Sequence, residues 1–342
     1  MGQEEAQNIT DKIEAAGLVG RGGAEYPTAK KWREVKEMES DKKYVICNAS
    51  EGEIGLFKDI YILENHLEKV VKGVILALDY IGAETAYFNI NRNYYDRVGG
   101  RLQEITNEYN REGYDIRSFI EEPSYIGGEE TALLNAIEGE RTEPRLKPPF
   151  PSEKGLHQKP TLINNVETLF NVASVEEGSY EGKRFYCISG AVENGGVYHL
   201  PEDQTIEKIL RETENFPSFD FFVQIGGSAS GVVYNSRQIK EITMTGAGGL
   251  EVYHINSDPR ELLLKWFSFY QRESCGKCIP CSQGSFNLKE LTENHHDIPW
   301  EKIFKILDNT DKASFCGLGR SISNPIRSFY SNVLNNDDRG KN

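Results

Sequence analysis

Four cysteines near the C-terminal end of the chain constrain it most. Three of them are separated by gaps of two residues and the fourth follows much later, which gives the set Cys275, Cys278, Cys281 and Cys316. Clustered cysteines in a reducing compartment bind metal more often than they form disulfides. Three close thiols plus one distant thiol are characteristic of a cuboidal [4Fe-4S] cluster, whereas structural zinc sites more often pair two cysteines with two more. We therefore predict a four-iron cluster, with zinc as the alternative.

The remaining two cysteines do not extend this site. Cys47 and Cys187 each lie within a short apolar run that is typical of a strand. Free cysteine in such surroundings behaves as a small buried apolar residue. We predict that both are buried and take no part in metal binding.

Length and charge narrow the class of protein. A chain of 342 residues allows two or three domains. Its net charge of −14 argues against a nucleic-acid-binding protein and against docking on anionic lipid. No run of about 18 apolar residues is present, and the first residues lack a signal-peptide pattern. These features predict a cytoplasmic chain that does not insert into a membrane and forms at most a peripheral part of a larger complex.

Three regimes of composition predict three domains. Residues 1–178 alternate strand and helix patterns, which predicts a layered α/β domain. Residues 179–256 carry short strands, including a predicted hairpin around Gly195 and Gly196, and suggest a small α+β domain. Residues 257–342 are predicted to be helical, beginning at Asp258 followed by Pro259 and ending in a polar tail over 335–342.

Loops of the first domain carry the signals for a cofactor. A glycine-rich loop at 17–24 exposes backbone N–H groups that can hold a phosphate, although many such loops are only turns. Acidic loops follow two predicted strands, at 48–53 and 127–131, where carboxylates can bind hydroxyl groups of a flavin or a ribose or can simply be solvated. Asn164 and Asn165 offer two amides that can bind a flavin edge or cap a helix.

Taken together, these motifs resemble the flavin- and NADH-binding subunit of respiratory complex I and of related NAD-linked hydrogenases and formate dehydrogenases. The matching stretches occur in the family's order over nearly the whole chain, at 20–32, 47–53, 128–133, 144–151, 164–168, 274–281 and 315–319. The resemblance implies a Rossmann-like FMN domain, a β-grasp-like middle domain and a helical bundle that carries the [4Fe-4S] cluster.

The resemblance also implies a function. Relatives take a hydride from NAD(P)H onto FMN and pass single electrons to the four-iron cluster, which makes them oxidoreductase subunits of the diaphorase type. Electrons leave such subunits through a thioredoxin-like [2Fe-2S] subunit and a larger iron–sulfur, hydrogenase or dehydrogenase subunit. Neither of these domains is fused to this chain, so partner subunits are implied.

Site residues follow from the matched positions. The FMN contacts implied by the resemblance are Gly20, Arg21, Gly22, Lys31, Asn48, Glu51, Gly128, Glu129, Asn164 and Asn165, and Thr168 completes the cofactor-binding set. The implied NAD(H) contacts are Gly23, Ala24, Tyr26, Glu53, Glu130 and Phe150. Three of these residues are candidate catalytic carboxylates that orient the flavin and adjust its potential, namely Glu51, Glu129 and Glu130.

Five positions depart from the family pattern. Glu25 and Ala29 replace glycines, Glu34 stands where a second adenine-stacking aromatic is common, Ser50 replaces an aspartate and Gly127 replaces a cysteine. If the Glu25 carboxylate faces the dinucleotide phosphates, repulsion between charges about 4 Å apart weakens binding, by roughly 1–4 kcal/mol. These departures support a second hypothesis, an FMN and [4Fe-4S] electron-transfer subunit that exchanges electrons with a partner protein and has lost or altered NADH binding.

Overall fold

The computed structural model describes residues 3–335, with side chains from residue 9 onward. Two compact units are present, one formed by residues 3–52 with 57–184 and the other by 53–56 with 185–335. Except for residue 335, the predicted polar tail lies outside the described residues. The predicted domain boundaries at residues 178 and 256 stay predictions.

A four-stranded parallel sheet organises the first unit. Its strands are β1 (Tyr44–Ala49), β2 (Thr85–Asn91), β3 (Asp115–Glu121) and β4 (Thr161–Asn165). They lie in the order β3-β2-β1-β4, and each neighbouring pair is parallel. β1 begins with a continuous buried apolar run, as expected of a parallel strand that is covered on both faces. The predicted mixed α/β fold with a parallel sheet is confirmed.

Helices connect these strands. They are α1 (Gln3–Ala15), α2 (Thr28–Glu37), α3 (Lys58–Ile81), α4 (Arg92–Arg111), α5 (Ala132–Ile137), α6 (Pro151–Lys154) and α7 (Val166–Glu176), with 3₁₀ turns at Ile126–Gly128 and Leu156–Gln158. α3 packs closely on α7, and a Cβ added at Gly73 would lie 2.2 Å from the carbonyl oxygen of Leu169. Glycine is therefore required where these two helices meet.

The register of the sheet brings amide side chains to one edge. Asn48 of β1 lies beside Asn89 of β2 on one side and Asn165 of β4 on the other. All three positions fall at or near the carboxyl ends of their strands, where open parallel sheets bind ligands. Two loops that carry predicted cofactor contacts, those after β1 and β3, begin at this edge, and so does α7.

A five-stranded mixed sheet organises the second unit. Its strands are β5 (Lys183–Gly190), β6 (Gly196–Pro201), β7 (Phe221–Ile225), β8 (Val232–Asn235) and β9 (Gly249–His254), and the connecting elements are α8 (Ile206–Glu212) and a 3₁₀ turn at Gln238–Lys240. The strand order is β6-β5-β9-β7-β8, with β5 parallel to β9 and β7 antiparallel to both of its neighbours. β5 and β6 are adjacent, as the hairpin prediction required.

The rest of this unit is helical. Its elements are α9 (Pro259–Glu273), α10 (Ile279–Asn294), α11 (Trp300–Ala313), α12 (Gly317–Ser321), α13 (Ser323–Phe329) and a π-helical turn at Tyr330–Leu334. The predicted start of α9 is confirmed, because the Asp258 side chain accepts a hydrogen bond of 2.8 Å from the backbone N–H of Arg260. Over the described part of the chain, no helix combines the length and the apolar character needed to cross a membrane.

Candidate functional site

The glycine-rich loop meets the start of α7. The backbone N–H of Gly20 donates to the carbonyl of Tyr26 at 2.9 Å, which closes the loop on itself. The N–H of Arg21 donates to Thr168 Oγ1 at 2.9 Å, and a Cβ added at Gly22 would lie 3.3 Å from Asn165 Cβ. Two sequence-predicted parts of the FMN set, the 20–23 loop and residues 164–168, are therefore brought together.

The acidic loop after β1 packs against the loop that contains Gly128. Asn48 Nδ2 donates to the carbonyl of Gly128 at 2.9 Å, and Asn48 Oδ1 accepts from the N–H of Ser50 at 3.2 Å. A Cβ at Gly128 would lie 2.6 Å from the Ser50 carbonyl oxygen. The absence of a side chain at Gly128 thus allows the two predicted flavin loops to pack in direct backbone contact.

Glu51 is held at the start of α3. Its Oε2 accepts hydrogen bonds from the N–H of Asp59 at 3.1 Å and from the hydroxyl of Tyr94 at 2.8 Å. Loss of solvent around the carboxyl and, next, the negative charge of Asp59 raise the pKa of Glu51 to about 8. This candidate flavin-side carboxylate is thus largely protonated near neutral pH.

A buried ion network that sequence reasoning missed lies beneath Asn165. Lys58 Nζ lies 2.5 Å from Asp59 Oδ1 and 3.2 Å from Glu167 Oε2, and all three side chains are almost fully buried. Burial alone would lower the pKa of Lys58, but attraction by these carboxylates raises it above its ordinary value. The available signal was an adjacent pair of opposite charges, Lys58 and Asp59, directly before the apolar run at the start of α3.

Asn165 is held in place by this network. Its Oδ1 accepts from Lys58 Nζ at 3.3 Å and from the N–H of Glu167 at 3.0 Å, so it caps α7. Its Nδ2 donates to Asp59 Oδ2 at 2.6 Å. Asn164 is held differently, because its Oδ1 accepts from the buried indole Nε1 of Trp32 at 2.9 Å.

Glu129 and Glu130 share a lysine. Lys147 Nζ lies 2.8 Å from Glu129 Oε1 and 2.7 Å from Glu130 Oε1, and Lys31 Nζ lies 3.5 Å from Glu130 Oε2. Burial alone would raise the pKa of Glu130, but the two lysines lower it below its ordinary value. Glu129 Oε2 also accepts from the N–H groups of Thr131 and Ala132, both at 2.9 Å, at the start of α5.

The predicted dinucleotide contacts in the first unit include two exposed aromatic rings. Tyr26 is 38% exposed and Phe150 is 51% exposed. The Tyr26 hydroxyl donates to Glu34 Oε1 at 2.7 Å, and Lys30 Nζ lies 5.4 Å from the centre of the Tyr26 ring. Tyr26 therefore offers a ring that is oriented by a carboxylate instead of by a second aromatic side chain.

Glu53 is placed apart from this set, in the second unit. One carboxylate oxygen accepts from the N–H groups of Ala229 and Ser230, each at 2.8 Å, and the other accepts from the Ser230 hydroxyl at 2.9 Å. The carboxylate is buried among these donors, and a Cβ at Gly227 would lie 2.5 Å from it. Glu53 thus anchors its loop within that unit.

The four cysteines of the predicted cluster also lie in the second unit. Cys278 and Cys316 directly precede α10 and α12, and the backbone N–H of Phe315 donates to Cys278 Sγ at 3.5 Å. Burial raises the pKa of the Cys281 thiol to about 11, and the charges of the other three thiols add to this rise. The four sulfurs are therefore within electrostatic reach of one another, while Cys47 and Cys187 are buried elsewhere, as predicted.

Backbone around the thiols is closely packed. Gly276 adopts φ = 77°, which favours glycine, and a Cβ at Gly319 would lie 2.3 Å from Ser314 Oγ and 2.9 Å from Cys281 Cβ. Four thiolate side chains are the ligand set that an iron–sulfur cluster takes. Residues 3–335 contain no group of three or more His, Cys, Asp or Glu side chains already arranged to hold a metal ion. Ligation by these four residues stays a prediction.

A parallel sheet with a glycine-rich loop in one unit and a set of four cysteines in the other are the features of an oxidoreductase subunit of the flavin and iron–sulfur type. The family profile described as the Nuo51 FMN-binding domain matches residues 13–174, and the profile of the NADH-ubiquinone oxidoreductase-F iron-sulfur binding region matches residues 261–334. The chain is 32% identical to the F subunit of the NADH-quinone oxidoreductase of Aquifex aeolicus, over 94% of this chain and 83% of that protein.

Hydrogenase subunits are similar as well. The NAD-reducing hydrogenase HoxS subunit alpha of Cupriavidus necator is 31% identical over 94% of this chain and 58% of that protein. A crystal structure of an air-oxidised NAD⁺-reducing [NiFe]-hydrogenase aligns with a TM-score of 0.90 and 29% identity, covering 97% of this chain and 62% of that one. The chain therefore spans about three fifths of the length of these hydrogenase chains.

The chain belongs to the family that contains the F subunit of NADH-quinone oxidoreductase and the diaphorase subunits of NAD-linked hydrogenases. It is an oxidoreductase subunit whose two matched regions are an FMN-binding domain and a [4Fe-4S] region, and NAD binding fits the family. The resemblance drawn from the motifs is thus confirmed.

Proposed function

We propose that this chain accepts a hydride from NAD(P)H through bound FMN and passes single electrons to a [4Fe-4S] cluster. The observation that carries the proposal is the meeting of the 20–23 loop with residues 165–168, since it brings the glycine-rich backbone against the start of α7. Such an arrangement suits a phosphate-bearing cofactor. When bound, FMN exchanges two electrons with a nicotinamide and single electrons with an iron–sulfur centre.

The residues divide into three proposed groups. FMN is held by Gly20, Arg21, Gly22, Lys31, Asn48, Glu51, Gly128, Glu129, Asn164, Asn165 and Thr168. NAD(H) is contacted by Gly23, Ala24, Tyr26, Glu53, Glu130 and Phe150. The cluster is ligated by Cys275, Cys278, Cys281 and Cys316. Within the second group, Tyr26 and Phe150 offer the exposed rings on which an adenine stacks.

The three candidate catalytic carboxylates are held in different charge states. Glu51 has a raised pKa and so places little negative charge beside a flavin, whereas Lys31 and Lys147 keep Glu130 ionised. Lys147 also neutralises Glu129. In this proposal the three carboxyl groups orient the flavin at the edge of the sheet. Hydride transfer from NAD(P)H to FMN requires no nucleophile or general base from the protein.

The finer architecture and the partners belong to the same proposal. We infer a Rossmann-like first domain, a β-grasp-like middle domain and a helical bundle around the cluster, with electrons leaving to a thioredoxin-like [2Fe-2S] subunit and a larger iron–sulfur, hydrogenase or dehydrogenase subunit. The names of the relatives describe subunits of multi-subunit enzymes, which supports the need for such partners. The chain would then act as a peripheral part of a cytoplasmic complex.

One observation favours a second candidate function. Glu34 accepts the Tyr26 hydroxyl hydrogen bond and lies 4.0 Å from Lys30, so charged groups occupy the surroundings in which a second aromatic ring would stack on adenine. A chain altered in this way can retain FMN and the cluster while it exchanges electrons with a partner protein instead of NADH.

Anaerobic reduction of the purified protein tests both candidates. Iron, sulfide, zinc and flavin are first quantified, and NADH, NADPH or dithionite is then added while the visible spectrum is followed. Bleaching of flavin and cluster by NADH or NADPH is the result expected for the diaphorase. Bleaching by dithionite alone supports the second candidate, and zinc without flavin or iron contradicts both.

A further inference from the structure

A buried acidic residue that the sequence analysis did not assign lies beside the predicted flavin loops. Glu121 ends β3 and is 9% exposed. Its Oε1 accepts a hydrogen bond of 3.2 Å from Nδ2 of Asn89, which lies at the level of Asn48 in the sheet. The carboxyl therefore sits at the ligand-binding edge of the parallel sheet.

Gly127 makes room for this carboxyl. A Cβ added at Gly127 would lie 2.6 Å from Glu121 Oε2 and 2.9 Å from its Cδ, well inside van der Waals contact. Any other residue at position 127 would displace the carboxyl or the loop. The position of the Glu121 carboxyl consequently depends on the absence of a side chain at residue 127.

The surroundings of Glu121 are polar and contain no cation. No ion pair involves Glu121 in the part of the chain that the structure describes, and the buried atoms Ser50 Oγ and Asn89 Oδ1 make no hydrogen bond there. Burial raises the pKa of Glu121, while the nearby Ser50 hydroxyl and the Asn89 amide oppose that rise without cancelling it. Burying a carboxyl group costs free energy unless its neighbours hydrogen-bond to it, so the polar groups around Glu121 matter to its stability.

Residue 50 is one of the polar neighbours of the Glu121 carboxyl. Ser50 stands where the family has an aspartate, and its backbone packs against Gly128 while its N–H is held by Asn48. The Ser50 hydroxyl faces the Glu121 carboxyl closely enough to affect its titration. A carboxyl group thus lies beside position 50, but it comes from β3 instead of from residue 50 itself.

We propose that Glu121 is a positioning residue of the flavin site, which supplies from β3 the carboxyl group that position 50 lacks and thereby sets the conformation of the 48–50 and 127–128 loops. The inference rests on the proposed function, because it takes these loops to hold FMN. The proposal explains two departures from the family pattern together, because Glu121 compensates for the missing acid at Ser50 and occupies the space left by Gly127.

Four variants test the proposal against the wild-type chain. Glu121→Gln keeps the shape and removes the acid, Ser50→Asp adds a second acid, and Ser50→Asp with Glu121→Gly moves the acid back to position 50. Glu122→Gln is the matched control, since Glu122 follows directly in the chain and its side chain is 85% exposed. FMN affinity, the FMN midpoint potential at mildly alkaline pH and thermal unfolding are measured for each.

Glu121→Gln is expected to weaken FMN binding about threefold to tenfold, as for loss of a buried polar contact, and to raise the flavin potential because an adjacent negative charge is lost. Ser50→Asp alone is expected to weaken binding, and the relocated acid to restore both affinity and potential. Glu122→Gln is expected to match the wild type.

Two results separate the possible failures. If the wild-type chain binds FMN but Glu121→Gln changes neither affinity nor potential relative to Glu122→Gln, or if the relocated acid unfolds at the wild-type temperature yet restores neither property, Glu121 has no role at the flavin and the proposed function stands. If the wild-type chain binds no FMN, the proposed function and this inference are both wrong.

Discussion

The carboxylate of Glu25 lies 3.8 Å from the buried guanidinium of Arg184. Glu25 adopts φ = 52°, a left-handed conformation that favours glycine, so the glutamate is held at some cost in backbone energy. The charge that the sequence placed near a dinucleotide phosphate therefore has a cationic partner within the same unit.

This pairing predicts the behaviour of three variants. Glu25→Gln should change NADH affinity by less than about threefold, because the carboxylate is already neutralised. Arg184→Met should weaken NADH binding by about tenfold or more, since the charge that offsets the carboxylate is then lost, and the double variant should recover most of that loss. Titration of NADH into the oxidised protein measures these affinities, with thermal unfolding to confirm that Arg184→Met folds. A tenfold gain from Glu25→Gln alone would show that the carboxylate repels the dinucleotide despite Arg184.

Glu34→Phe is expected to tighten NADH binding by about twofold to tenfold. The substitution releases the Tyr26 hydroxyl and adds an aromatic ring near it, and aromatic stacking contributes about 0.5–1.5 kcal/mol. Glu34→Gln is the control, because its amide oxygen can still accept from Tyr26. Equal affinities of the Phe and Gln variants for NADH would contradict adenine stacking at this position.

Lys58→Met is expected to destabilise the apoprotein by about 3–5 kcal/mol. Removing the cation takes the positive charge away from the buried carboxylates of Asp59 and Glu167, and the loss of one member of a buried ion pair carries a cost of this size. Lys72→Met removes an ion pair of 2.8 Å with Glu177 on the surface and should cost less than about 1 kcal/mol. Urea unfolding followed by circular dichroism measures both; similar midpoints for the two variants would argue against a stabilising network.

The raised pKa of Glu51 is expected to make the free energy of unfolding depend on pH. Its pKa is raised from 4.5 to about 8, so the folded state binds more protons than the unfolded state between these values. Stability is therefore greatest below about pH 4.5 with respect to this group and falls as pH rises toward about 8. Glu51→Gln should flatten that decline in thermal unfolding of the apoprotein, whereas substitution of the exposed Glu39 should not. An unchanged slope in Glu51→Gln would assign the decline to other groups, first of all Asp59, whose pKa is also raised.

Local patterns in the sequence predicted the parts of this molecule that depend on near neighbours. The start of α9 at Asp258 and the pairing of β5 with β6 were foreseen, because capping and short hairpins are encoded within a few residues. The spacing of Cys275, Cys278 and Cys281 limits how far apart these three thiols can lie, whereas nothing in the spacing determines the position of Cys316, and the cluster site stays a prediction.

Relationships between distant segments were not foreseen. Nothing in the sequence indicates that Ser50 faces the Glu121 carboxyl, since this contact arises only when β3 is placed two strands from β1. The approach of Gly127 to the same carboxyl depends on how the chain turns back after β3. Lys58 was missed for a different reason. Lysine is almost never fully buried, and only the opposing carboxylates of Asp59 and Glu167 make its position tolerable.

The bond from the Trp32 indole to Asn164 Oδ1 has a consequence for recognition at the sheet edge. An asparagine amide can ordinarily rotate to present either its oxygen or its nitrogen, but here the oxygen is committed to a ring that is locked in the hydrophobic core. The orientation of the Asn164 amide is therefore fixed before any ligand arrives. An incoming molecule meets an amide that cannot turn over, and it can use only the Nδ2 donors or the second lone pair of Oδ1.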